Sequence, residues 1–145
     1  MSEAIAVAEQ IADKPVNTVP AIGQPWPGVD GKYYGVARGE IGEPDHHIVL
    51  LNAQPLGRLP WKKAVEWAHG LGDGASLPTR FESALLYANG QAEVDNGKWH
   101  WTSTQSSDAN AWLQNFSYGY QYADDKSYGG WARAVRRFPL NPSVL

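Results

Sequence analysis

The stretch from Trp99 to Phe138, WHWTSTQSSDANAWLQNFSYGYQYADDKSYGGWARAVRRF, constrains this chain more than any other. It holds four of the seven tryptophans and four of the seven tyrosines, set among Ser, Asn, Gln, Asp and Gly rather than Leu, Ile or Lys. Aromatic anchors alternating with small hydrogen-bonding residues make the composition of a rigid recognition surface. The run Ala132-Arg133-Ala134-Val135-Arg136 alternates and reads as a closing strand. The remainder of the chain reads as scaffold for this surface.

With 145 residues, 43% hydrophobic and 19% charged, the chain suits one globular, soluble domain. A net charge of −3 argues against nucleic acid or anionic membrane as partner, and Arg133, Arg136 and Arg137 read as solvent-facing residues of a strand. There is no cysteine, which excludes disulfides, thiolate metal sites and cysteine nucleophiles. No apolar run reaches the ~18 residues of a membrane span. The acidic start MSEAIAVAEQIADKP lacks the basic region of a secretory signal.

Ser2 to Asp13 can form a short helix with Ile5, Ala8 and Ala12 on one face, marginal by itself. Pro20, Gly23, Pro25 and Gly28 then deny regular structure, so residues 1–28 read as an extended arm and residues 29–145 as the domain. An arm this poor in apolar residues becomes ordered by lying on a partner. Lys32–Arg38 and His46–Leu51 predict a hairpin. His46 and His47 point to opposite faces, which suits structural roles better than joint metal binding. Pro60–Leu71 predicts a helix with Trp61, Ala64, Val65, Ala68 and Leu71 inward. Thr79 and Glu82 form a capping box for a second helix, with Phe81, Ala84, Leu85 and Ala88 inward. Strands follow over Trp99–Trp101, Ala111–Phe116, Tyr120–Ala123 and Trp131–Phe138, with a tight turn at Tyr118-Gly119. Together they predict an α+β domain whose single late sheet covers the helices with one face and meets solvent with the other.

The series Trp61…Ala64, Leu77-Pro78-Thr79-Arg80, Trp101-Thr102-Ser103-Thr104, Ala111-Trp112, Asn115-Phe116-Ser117, Gly119, Lys126 and Val135-Arg136 resembles a bacterial and phage family of C-type-lectin-like domains, exemplified by the C-terminal domain of a collagen-like adhesin. The resemblance spans about Gly28 to Phe138, and the closing ARAVRRF with the preceding GYQ is most similar to the phage-borne members. It implies a C-type lectin fold, two helices packed on a small twisted antiparallel sheet. It also implies kinship with the variable proteins of diversity-generating retroelements, which display changing residues on the C-terminal sheet and loops and bind host receptors. The formylglycine-generating relatives rely on cysteines, so their activity does not carry over. Glu43-Pro44-Asp45 superficially matches the sugar-binding Glu-Pro-Asn of true C-type lectins, but it precedes both helices and reads as a turn.

Trp99, Trp101, Trp112 and Phe116 read as core or half-core, and Arg80 as a residue tying its helix to the sheet. The expected ligand-binding residues are Asp108, Asn110, Gln114, Tyr118, Tyr120, Gln121, Tyr122, Asp124, Tyr128 and Trp131, with Arg133 and Arg136 open between bracing loops and rimming the site. No catalytic residue, metal or cofactor is expected. The reading is a non-enzymatic virion protein on a tail or tail fibre, present in many copies, binding a host surface protein or glycan and held to other virion subunits by its arm. The alternative is a decoration protein that stabilises a capsid; a bacterial cell surface or the cytoplasm are the other locations considered.

Overall fold

The computed structural model describes residues 18–90, 94 and 98–140. The helix expected over Ser2–Asp13 and most of the loop expected over Gln91–Lys98 lie outside the described residues. The chain runs β1 (Gly31–Ala37), β2 (His46–Leu51), α1 (Trp61–His69), α2 (Arg80–Gly90), β3 (Trp99–Gln105), β4 (Asn110–Asn115), β5 (Gln121–Asp125) and β6 (Val135–Pro139). Among the described residues the architecture is α+β, with two helices and two small antiparallel sheets.

The strands divide differently from the expected single late sheet. One three-stranded sheet has the order β1-β2-β6, the other β3-β4-β5. The closing strand therefore leaves the aromatic block and pairs with the early hairpin, Val49 opposite Arg136 and His47 opposite Phe138. The chain crosses between the sheets at Trp131, whose N–H bonds Trp99 O and whose carbonyl accepts from Trp101 N, both at 2.9 Å. In β1 the register slips between Tyr33 and Val36, where Gly35 takes a φ of 115° that a side chain would strain.

Residues 18–28, the described part of the expected arm, lie partly on the domain. Gly23 N donates to Tyr33 O and Tyr33 N to Gln24 O. Trp26 stacks on Phe138 with centroids 4.9 Å apart. An aromatic residue among the prolines and glycines supplies the apolar contact that backbone pairing alone lacks.

Helix α1 buries Ala64 and Ala68, with Trp61 and Val65 packed beside them. Leu71, expected inward, lies past the helix end and is exposed. The capping box forms as expected: Thr79 N donates to Glu82 Oε1 at 2.8 Å and Glu82 N to Thr79 Oγ1 at 3.1 Å. The inward face of α2 departs from expectation. Glu82, Ser83, Leu86 and Gly90 are buried, while Phe81, Ala84 and Ala88 are exposed. The carboxylate turns the helix. Glu82 meets Arg137 through Nε–Oε2 and Nη2–Oε1 bonds, both 2.7 Å, and His46 Nε2 at 2.6 Å, so Phe81 next to it must face out. Arg137 accordingly points inward and is half-buried, and Arg133 is buried, its guanidinium donating to Leu51 O at 2.8 Å. These two arginines are not the solvent-facing residues the alternating run suggests. His46 and His47 take structural roles on opposite faces, His47 Nδ1 lying 2.8 Å from the Tyr33 hydroxyl.

Two packed clusters fill the interior. Leu51, Ala64, Leu77, Trp101, Leu113 and Ala134 belong to one; Tyr34, Ile48, Leu86, Phe116 and Val135 belong to the other.

Candidate functional site

The second sheet is covered on both faces, contrary to the expectation of one open to solvent. Consecutive residues point to opposite faces of a strand. Yet His100, Trp101 and Thr102 of β3 are all buried, as are Leu113, Gln114 and Asn115 of β4. Gly130 makes one cover possible. A Cβ there would stand 2.7 Å from the Trp101 indole nitrogen, so only glycine lets this loop close over the ring. Exposure is left to the loop before β4, the turn between β4 and β5, and the outer strand β5.

The expected site residues consequently separate into three groups. Tyr118 and Tyr120 are exposed by 74% and 65%, and Tyr122 by 39%. The first two rings lie 5.9 Å apart and inclined by 32°. Tyr122 sets its ring edge-on to Trp99 at 4.6 Å and donates its hydroxyl to Asp124 Oδ2 at 3.2 Å. Burial, with the Asp124 charge and hydrogen bond behind it, pushes the Tyr122 phenol above its ordinary value, so it stays a neutral donor. The spacing Tyr-x-Tyr-x-Tyr places aromatic side chains on alternate positions leading into the outer strand.

Gln114 and Gln121 form the second group, and neither is a loose surface amide. Gln114 is fully buried, so its expected place in the contact surface is corrected. Gln121 Nε2 donates to Gln114 Oε1 and to Arg80 O, both at 2.7 Å, and Gln121 Oε1 accepts from Arg80 Nε at 2.9 Å. Gln114 Nε2 in turn reaches Asn115 O at 2.9 Å. An unpaired amide here would cost about 1–3 kcal/mol, so the network fixes which strand positions lie together. Arg80 does what its motif suggested, and it also stacks 3.6 Å above the Trp112 ring. Arg80 and half-buried Trp112 thus flank β5.

The third group sits elsewhere. Tyr128 packs on the core edge-on to Trp101, at 6.1 Å. Half-buried Trp131 lies under Lys98, whose ammonium is 4.1 Å from the ring centre. Asp108 and Asn110 shape the β3–β4 loop: Asp108 O accepts from Lys126 Nζ at 2.6 Å, and Asn110 O from Ser106 N at 3.0 Å. Asp125 caps the following turn through Ser127 N and Oγ, and these bonds hold its carboxyl below the ordinary range. Of the two arginines left open, Arg133 braces Leu51, and Arg136 lies over Phe138 at 4.8 Å, on the other sheet. Glu43-Pro44-Asp45 is part of a turn in which Asp45 Oδ1 accepts from Gly39 N. Among the described residues no group of three His, Cys, Asp or Glu is placed to hold a metal, and no helix is long and apolar enough to cross a membrane.

The exposed tyrosines stand on a held turn. Asn115 Oδ1 accepts from Ser117 N at 2.8 Å and Tyr118 N at 3.0 Å, and Gly119 N closes back on Asn115 O. Gly119 has φ 81°, and a Cβ there would stand 2.7 Å from the Tyr87 ring. Gly119→Ala is expected to cost about 1–3 kcal/mol, from left-handed strain and the collision together. A urea midpoint equal to that of the parent would refute this account of the turn.

No protein-family model matches the chain, and no curated protein matches it. Among solved structures it is similar to botrocetin, a snake C-type lectin-like protein, with a TM-score of 0.41 and 11% identity, covering 65% of this chain and 90% of that one.

Proposed function

We propose that this chain is a non-enzymatic ligand-binding domain of C-type-lectin-like fold, displayed in several copies on a phage tail or tail fibre, where it contacts a host surface protein or glycan. The observation that carries the reading is the exposed pair Tyr118 and Tyr120 on a turn pinned by Asn115 and Gly119. A tyrosine offers broad apolar contact and a hydroxyl while losing little side-chain entropy on binding. Holding the turn beforehand removes the cost of ordering it in the complex. Tyr122 and Arg80 extend the surface along β5. The polar groups beneath this surface support a binding role over a catalytic one, since buried Glu82 and Gln114 and half-buried Gln121 are each engaged in structural hydrogen bonds. The resemblance to phage-borne sequences supplies the setting. Multiple copies would strengthen a weak single contact through effective concentration.

The double variant Tyr118→Ala/Tyr120→Ala is expected to weaken binding of the purified protein to host cells by about 10- to 100-fold, the range of interface hot spots. Its thermal midpoint should stay close to the parent's, because both rings are exposed. Unchanged cell binding would end the reading. Unchanged binding accompanied by less stable particles would favour a decoration role instead.

A further inference from the structure

The outer strand of the second sheet has an open edge. Antiparallel strands bond at every second residue, and here Asn115 N donates to Tyr120 O while Lys126 N donates to Ala109 O. Tyr120, Tyr122 and Asp124 therefore turn their backbone groups to β4. Gln121 and Ala123 turn theirs away, and among the described residues these N–H and C=O groups have no hydrogen-bond partner. At Asp125 the edge is shut, because Asp124 Oδ1 takes its N–H at 2.7 Å and its carbonyl accepts from Tyr128 N at 2.9 Å. A guanidinium stands beside the same two open residues. Arg80 Nε is tied to the Gln121 side chain, and its guanidinium carbon lies over Trp112, the register partner of Ala123. The Arg80 backbone is fixed as well, its N–H on Thr104 Oγ1 at 3.0 Å and its carbonyl on Gln121 Nε2. Only Nη1 and Nη2 have no hydrogen-bond partner among the described residues. An arginine held at its other points presents these remaining N–H groups as a fork that a carboxylate fits.

We infer that β5 takes an extended segment of a partner protein as an added strand, with an Asp or Glu side chain of that segment held by Arg80. The inference rests on the proposed contact surface and narrows its partner to a protein. Backbone bonds to Gln121 and Ala123 give affinity, and pockets for alternate side chains give specificity. Gln121 and Tyr122 leave the strand on opposite faces, so Arg80 serves one face of the added segment and Tyr122 the other. Charge fixes where the acid sits. Asp124 and Asp125 occupy the far end of β5, so a carboxylate is accepted at the Arg80 end only. A second copy of this chain suits the edge less well. Stable interfaces bury about 1,200–2,000 Å², and two residues of open edge fall short of that.

The probe is a library of random nine-residue peptides, selected on the purified full chain. The selected peptides are expected to share one Asp or Glu set among β-forming residues. Changing that acid to its amide, or Arg80→Gln in the protein, is expected to weaken binding about 10-fold or more. The peptide change leaves the protein's own folding untouched. Ala123→Pro removes an outward N–H without touching the bonds to β4, and it is expected to abolish binding. Should that variant unfold, N-methylation of the peptide's pairing residues is to have the same effect. A selection that yields no binder, binders without a shared acid, or binders that Ala123→Pro retains would overturn the inference. So would a concentration-dependent dimer that Ala123→Pro dissociates, since the edge then belongs to a second copy. Binding of sialylated or uronic-acid glycans that Arg80→Gln loses and Ala123→Pro keeps would overturn it too, giving the fork to a sugar carboxylate. The proposed function is decided separately, by host-cell binding of the Tyr118→Ala/Tyr120→Ala variant.

Discussion

Glu82→Ala is expected to destabilise the protein by about 3 kcal/mol, because it removes the buried member of an ion pair and leaves half-buried Arg137 only Ser76 Oγ and Leu77 O as partners. Glu82 is 2% exposed, and both its oxygens are used: Oε1 by Thr79 N and Arg137 Nη2, Oε2 by His46 Nε2 and Arg137 Nε. A loss of that size lowers the thermal midpoint by roughly 10 °C in a chain of this length. Replacing both partners with apolar residues, Glu82→Leu with Arg137→Met, is expected to recover much of it, since neither charge is then left buried. Equal losses for the single and the double variant would show that packing, not charge, is at stake. Acid gives a second reading of the same pair. Burial opposes ionisation of Glu82, but the Arg137 bonds and charge, the Thr79 amide and His46 outweigh it and hold the carboxyl below its ordinary value. The unfolded chain therefore binds this proton more readily. The contribution is present above the ordinary carboxylate pKa of about 4.3 and is lost as pH falls through the lower folded value. Urea midpoints measured from pH 6 to pH 3 should fall less steeply for Glu82→Gln than for the parent.

Trp101→Ala is expected to cost a similar 3–5 kcal/mol, for a different reason. The ring is fully buried in the first cluster, with Tyr128 edge-on and the Gly130 backbone against it. Its deletion leaves a cavity that the Leu59 and Gly130 segments, tied to each other by paired backbone bonds, cannot close easily. Domains of this kind have about 5–15 kcal/mol in all, so the variant stands near the threshold of folding. Trp101→Phe should cost less. The Leu59 carbonyl that accepts the indole N–H at 2.8 Å also accepts from Gly130 N at 2.9 Å, so it keeps a partner. Chemical denaturation of the two variants side by side checks the order. A phenylalanine variant as unstable as the alanine one would mean that the N–H bond, not the volume, carries the effect.

Much of the local structure was legible in the chain. Pro60, the Thr79–Glu82 box and Gly119 act through bonds to near neighbours, so their residue types announce what they do. The turn at Glu43-Pro44-Asp45 and the half-buried ring of Trp112 are of the same kind. The facing of α2 was not legible, because its apolar spacing fits Phe81 inward and only a guanidinium from 55 residues away turns Glu82 in. Gln114 was misread for a related reason. Its polarity suits a surface, and its burial depends on Gln121 and Arg80, which meet it only once the strands are paired.

The sequence by itself therefore determined the α+β class, both helices, the strand segments and the turn that lifts the tyrosines, all consequences of short-range spacing and backbone restriction. Only the tertiary structure decided that β6 returns to the early hairpin, that the second sheet is covered on both faces, and that Gln114 is buried while Tyr118, Tyr120 and Tyr122 are exposed. Periodicity tells which side of a strand a residue takes. What covers that side depends on partners distant in the chain, and on whether a buried polar group finds them.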